Sequence, residues 1–171
     1  MTESKPNTEP LVFPSARMTT LGKCVAGELI ATQYGKNWGY ALVVPVHRDA
    51  PVKLMYLQKV AGRNGLMCAD GYDDDIVMSL GANYEFNVDV HQTMLEPFET
   101  GTIVSGAAYL IGNDWQLLFV DKKSDIVRLY SIAKRGIISN RSDLLRSPFK
   151  KWSLRVVSGM GIYQNVVSHT A

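Results

Sequence analysis

The chain has 171 residues, 46% of them hydrophobic and 20% charged, with a net charge of +2, which is the composition of an ordinary globular protein of one domain. No apolar run approaches the roughly 20 residues of a membrane helix, and the first residues lack the apolar core of a signal peptide. Two cysteines, Cys24 and Cys68, make no disulfide framework, so the expectation is a reduced protein of the cytoplasm, its own or a host's.

Residues 1–20 are polar, carry Pro6, Pro10 and Pro14, and read as an extended arm whose one apolar piece is Leu11-Val12-Phe13. Residues 21–171 read as a single β-rich domain. Its first feature is a hairpin, with extended runs at 25–32 and 38–46 around a short polar link. Tyr34, Trp38 and Tyr40 crowd around Lys36, and Gly35 and Gly39 leave the rings unshielded. Trp38 and Tyr40 are two apart and share one face of a strand. Rings beside a cation suit stacking on unpaired bases; the alternative is a pair of core aromatics on a barrel strand.

A turn at residues 47–51 containing Arg48 follows, then a strand at 52–60 with Lys53 and Tyr56, a loop at 61–65 and a short strand at 66–69. The acidic turn Asp70-Gly-Tyr-Asp-Asp-Asp75 lacks the ligand spacing of a calcium loop and reads as solvated. Strands at 76–80 and 84–90 lead to a connection at 91–97 with a possible helical turn. The clearest hairpin pairs residues 102–111 with 115–121 through Gly112-Asn113-Asp114. Gly106, Ala107 and Ala108 imply that something packs closely over that strand.

The best-punctuated helix spans residues 125–135. Ser124 caps it, Asp125 sits in the first turn, Lys134 and Arg135 in the last, and Gly136 supplies a left-handed exit. Ile126, Leu129, Tyr130 and Ala133 form its apolar face, opposite Arg128, Ser131 and Arg135. A second short helix is expected at 142–146, ended by Pro148, and closing strands at 151–157 and 161–168.

Gly27, Leu29, Lys36, Trp38, Gly39 and Tyr40 fall in the order and spacing of the first strands of cold-shock domains, a subset of OB-folds. The stretch Leu80-Gly81-Ala82-Asn83-Tyr84-Glu85-Phe86 is similar to a later strand of that family. Residues 25–90 therefore resemble an OB-like nucleic-acid-binding domain. Ala31 and Thr32 stand where the family has an aromatic pair, and of its second aromatic motif only Tyr56 is present. The resemblance implies a barrel-like core, with residues 100–168 as a hairpin–helix–hairpin elaboration. The fold class expected is thus α+β, mainly antiparallel, with a barrel-like or strongly twisted sheet and one main helix near 125–135.

Charge is segregated along the chain. Residues 64–121 hold ten acids and no Lys or Arg, giving −10; residues 122–155 hold ten bases against Asp125 and Asp143, giving +8. One-signed patches attract oppositely charged partners. His47, His91 and His169 are isolated, no Cys/His set has metal spacing, and there is no phosphate-binding glycine loop or nucleophile elbow. The chain reads as a non-enzyme without a cofactor.

The leading expectation is single-stranded RNA or DNA binding with little sequence preference, by a homo-oligomer. Tyr34, Trp38, Tyr40 and Tyr56 would stack bases, while Lys36, Arg48, Lys53 and the basic residues of 122–155, among them Arg128, Arg135, Lys150 and Lys151, meet phosphates. The alternative is a structural protein of a virion or filament, joining copies through opposed acidic and basic surfaces.

Overall fold

The computed structural model describes residues 16–45, 52–58, 66–91, 104–138, 148–157, 161 and 163–171. The strands are β1 Arg17–Thr20, β2 Leu29–Tyr34, β3 Asn37–Val44, β4 Lys53–Tyr56, β5 Leu66–Asp70, β6 Ile76–Gly81 and β7 Tyr84–Val88. They continue with β8 Ala108–Ile111, β9 Asp114–Asp121, β10 Ile126–Ser131, β11 Gly136–Ile138, β12 Lys151–Val157 and β13 Tyr163–Thr170. Ten of them form one sheet in the order β1-β6-β2-β3-β4-β5-β9-β10-β11, with β8 also on β9; the other three form a second sheet, β13-β12-β7. Arg17–Thr20, at the end of the expected arm, thus pairs with β6.

The main core lies between the two sheets. In β12 the period of two is plain: Trp152, Leu154 and Val156 are buried, while Lys151, Ser153 and Arg155 point the other way. These three meet Leu29, Leu42, Val44, Met55, Leu117 and Phe119 of the large sheet. The Trp152 indole N–H donates to Gly106 O at 2.7 Å, which is the close packing that the small residues 106–108 demand. Its ring stacks on His169, with centroids 4.9 Å apart.

A second core, with Ile30, Ala41, Val43, Leu54, Tyr56, Met67 and Val77, lies on the opposite face of the large sheet. Residues 71–75 connect β5 to β6, although four strand spacings, about 19 Å if flat, separate them in the sheet. Those few residues contain a turn tied by Tyr72 N–H to Asp75 Oδ2 at 2.9 Å, so the sheet must curl to let them reach. Leu21, in the 3-10 turn Leu21–Lys23, plugs the concavity; a Cβ on Gly71 would lie 2.5 Å from its Cδ2.

Two expectations fail here. The sheets are open, and the barrel implied by the OB-like reading does not close, because the outer edge of β5 pairs with β9 instead of with β6. Nor is there a helix at 125–135, so the fold is almost all β rather than α+β. Residues 126–131 pair with β9 from Ile126↔Asp121 to Ser131↔Gln116. Asp125 and Arg135, the supposed first and last turns, both have left-handed backbones, with φ of 54° and 53°. Those angles end a helix rather than continue one.

The physical reason is competition between local pattern and long-range pairing. A single amphipathic helix of this length is marginal alone. As a strand, the segment buries Leu129 on one face and Tyr130 on the other and satisfies the backbone edge of β9. Asp114 completes the arrangement by accepting from Ser131 Oγ at 2.6 Å and from the Ala133 backbone N–H at 3.2 Å. The second expected helix, at 142–146, and most of the 91–97 connection lie outside the described residues.

Substitutions in this segment have opposite signs in a strand and in a helix. Val127→Ala is expected to destabilise by about 0.5–1 kcal/mol, whereas in a helix alanine would be favoured. Asp125→Gly is expected to leave stability unchanged or raised, because glycine adopts positive φ freely; in a first helical turn it would cost about 1 kcal/mol. Chemical denaturation of the two variants checks both.

Candidate functional site

The turn of the β2–β3 hairpin is two residues long, so Tyr34 pairs with Asn37, and Gln33 with Trp38. Directly opposed residues share a face, which puts Trp38 and Tyr34 on opposite faces of the hairpin. Trp38 continues the row Val44, Leu42, Tyr40, which runs outward from the main core; Tyr40 is half-buried against that core, and Trp38 is 61% exposed. Tyr34 packs edge-on against Tyr56 with centroids 5.0 Å apart, and Tyr56, 5% exposed, offers no open ring face. The four aromatics therefore do not form one platform. Trp38 presents the open ring.

Lys36 is exposed in the turn between them. A second lysine reaches the same end from far along the chain: Lys122 Nζ donates to Tyr34 Oη at 2.8 Å. Lys123, also exposed, lies 3.9 Å from Asp70. The hairpin tip thus has Lys36 in its turn and Lys122 at Tyr34, on the face opposite Trp38, whereas Lys123 belongs with Asp70 and Lys53 at the Val44 end of the strands. Beside it, Thr32, Gln33, Gly35, Asp74, Asp75 and Ile76 line an open cavity of about 450 Å³. Its carboxylates keep the tip from being uniformly positive. Ile76 and Met18 are exposed, and alternation through Met78 places them on the same face as Trp38.

The remaining basic residues are placed elsewhere. Lys53 Nζ bonds Asp121 Oδ2 at 2.9 Å and lies 3.5 Å from Asp70 Oδ1; Arg128 Nε lies 3.7 Å from Asp121 Oδ2. The Arg135 guanidinium donates to Ala82 O at 3.0 Å, and its stem covers Gly27, where a Cβ would lie 2.5 Å from Cδ. With φ of +83° as well, position 27 has two reasons to be glycine. Lys151 is on the outer face of the second sheet with Arg155, which lies 3.9 Å from Glu85. Lys150 is half-buried just before β12, and Arg48 lies outside the described residues.

The side chains of Lys53 and Asp121 are 17% and 6% exposed. Burial alone would raise the Asp121 carboxyl pKa. Hydrogen bonds from Lys53 Nζ and the Lys123 backbone N–H, with the charges of Lys53 and Arg128, outweigh burial and hold it below the ordinary carboxylate value. Burial would likewise lower Lys53, but the Asp121 hydrogen bond and charge raise it. Cys68 beside them is buried and its thiol is pushed up to about 12, chiefly by burial, so it is no nucleophile at neutral pH. Among the described residues no three His, Cys, Asp or Glu gather as metal ligands, and no helix is long and apolar enough to cross a membrane.

Asp74, Asp75 and Ile76 are the tip residues that sequence reasoning did not assign to the site. Lys122 is expected there only as one of the basic residues of 122–155, and no local signal sets it at Tyr34, to which the β5–β9 pairing brings it. Comparison with protein-family models, curated proteins and solved structures finds no match to the chain.

The Asp121 cluster gives a pH dependence with a definite sign. A carboxylate whose pKa falls on folding stabilises above its unfolded pKa, and that contribution is lost as pH falls through the lowered folded value. Wild-type stability is therefore expected to drop below about pH 4 more steeply than that of Asp121→Asn. At neutral pH Asp121→Asn is expected to cost about 3 kcal/mol, because it leaves Lys53 with its main partner removed. Urea unfolding at several pH values measures both.

Proposed function

We propose that the protein is a non-catalytic binding protein for single-stranded RNA or DNA, with little sequence preference. The observation that supports this most directly is the 61% exposure of Trp38 at a hairpin end that carries two exposed lysines, Lys36 in the turn and Lys122 at Tyr34. An open indole stacks on any base, and flexible lysines beside it meet the flanking phosphates. Asp74 and Asp75 border the cavity and direct phosphates to the lysine side of the ring. Tyr34 serves by positioning Lys122 rather than by stacking.

A second reading, contact with another polypeptide, draws on the apolar neighbours of Trp38. Met18, Ile76 and Trp38 are all exposed on one face, and aliphatic side chains around an aromatic anchor suit a protein partner. Opposed acidic and basic surfaces do not supply that reading with its force, since Asp121, Asp70 and Glu85 already meet Lys53, Arg128, Lys123 and Arg155 within the chain.

Titration of labelled single-stranded oligonucleotides with nuclease-treated protein decides between the two. The expected result is binding that weakens with salt, and a loss of about 10-fold or more in Trp38→Ala, from about 1–3 kcal/mol of stacking per base. Lys36→Ala and Lys122→Ala are each expected to lower the salt slope by about 0.7. No binding at low salt, or Trp38→Ala binding as wild type does, overturns the proposal. A Trp38-dependent self-association without oligonucleotide binding favours the second reading.

A further inference from the structure

The open edge of the second sheet has a property that no other sheet edge of the described residues shares. β13 ends the order β13-β12-β7, and its residues, Tyr-Gln-Asn-Val-Val-Ser-His-Thr, include no Lys, Arg, Asp, Glu or Pro. The other terminal strands are shorter or charged: β1 has four residues including Arg17, β7 has five including Glu85, and β11 has three. Proteins usually protect a free edge with charge, proline, shortness or a bulge, because a row of unpaired backbone groups is a template for another strand. β13 has the bulge alone. Leu154 pairs with Val167 and Arg155 with Asn165, so Val166 is the extra residue and the first part of the strand is turned aside. From Val167 onward the ladder is regular, and it extends to Ala171, whose N–H bonds Lys150 O at 2.9 Å.

That last bond fixes the phase. Ala171 donates towards β12, so by antiparallel alternation Ser168 and Thr170 direct their backbone N–H and C=O groups to the open side. Ser168 and Thr170 are exposed, and Ser168 lies opposite Ser153 on the outer face of the sheet.

We propose that β13 is a docking edge for a second copy of this chain, pairing antiparallel about a two-fold axis at Ser168 to make one six-stranded sheet from two three-stranded ones. Ser168 of one copy exchanges both backbone hydrogen bonds with Ser168 of the other, and Val167 faces His169 on either side. An identical strand is the suited occupant because it brings no charge to be desolvated and its own edge needs the same cover, the condition for an isologous contact. The edge lies in the second sheet, and the proposal does not rest on the reading of the Trp38 end.

The test uses the full chain, nuclease-treated, with mass measured by sedimentation across a concentration series. Wild type is expected to dimerise with rising concentration. Ser168→Lys and Ser168→Glu each place like charges face to face across the axis, and each is expected to be monomeric with an unchanged circular dichroism spectrum. Mixing the two variants is expected to restore the dimer, which a merely misfolded variant would not do. Ser168→Pro, which removes an outward N–H only, is also expected to be a folded monomer. A monomeric wild type at the highest soluble concentration overturns the proposal, as does a Ser168→Lys protein that still dimerises or a mixture that stays monomeric.

Discussion

The structure depends on how β9 shares its edges. One edge of β9 pairs along its length with β10; the other is divided, with β8 on residues 114–117 and β5 on residues 119–121. The β5–β9 ladder is the one parallel pairing among the described residues and has only three residue pairs. It nevertheless joins the curled sheet of the first half to the hairpins of the second. The last pair is Cys68↔Asp121, and there the side chains add what so short a ladder lacks: Asp121 takes the Lys53 ammonium at 2.9 Å in a site nearly closed to water. Such a pair is costly to break because the surviving charge stays buried. β9 can occupy this position because Leu117, Leu118 and Phe119 fill cores on both of its faces.

The same junction explains the charge segregation along the chain. The acidic stretch supplies Asp70 and Asp121, and the basic stretch supplies Lys123 and Arg128; the fold interleaves them around Lys53. Part of what looks like two opposed patches in sequence is therefore paired within the chain, through Asp70 and Asp121. The lysines exposed at the hairpin end come from distant parts of the chain, Lys36 from the hairpin turn and Lys122 from the start of the basic stretch. Burial of charge in one place and exposure in another follow from one strand pairing.

Strands and hairpins were largely legible because alternation and turn chemistry are local. The run at 151–157 coincides with β12, and the hairpin built on Gly112-Asn113-Asp114 is β8–β9. The helix at 125–135 failed because its caps and apolar stripe satisfy a local rule, while β9 offers the same residues a ladder and two cores. The barrel failed for a similar reason: nothing in residues 25–90 announces that β5 will pair with β9 rather than with β6. At the site, the exposed Trp38 and Lys36 were readable from the hairpin itself. The separation of Tyr34 from Trp38 follows from a two-residue turn, since that turn sets Trp38 against Gln33. The arrival of Lys122 at Tyr34 spans 88 residues and has no local sign.

The Lys53–Asp121 contact fastens the two halves at the β5–β9 junction. A double-mutant cycle with Lys53→Met, Asp121→Asn and both together, read by urea unfolding at neutral pH, measures that coupling. The expected result is a coupling energy of about 2 kcal/mol, with the double variant more stable than the sum of the single effects requires. Single-variant effects that add to within about 0.5 kcal/mol would contradict the claim.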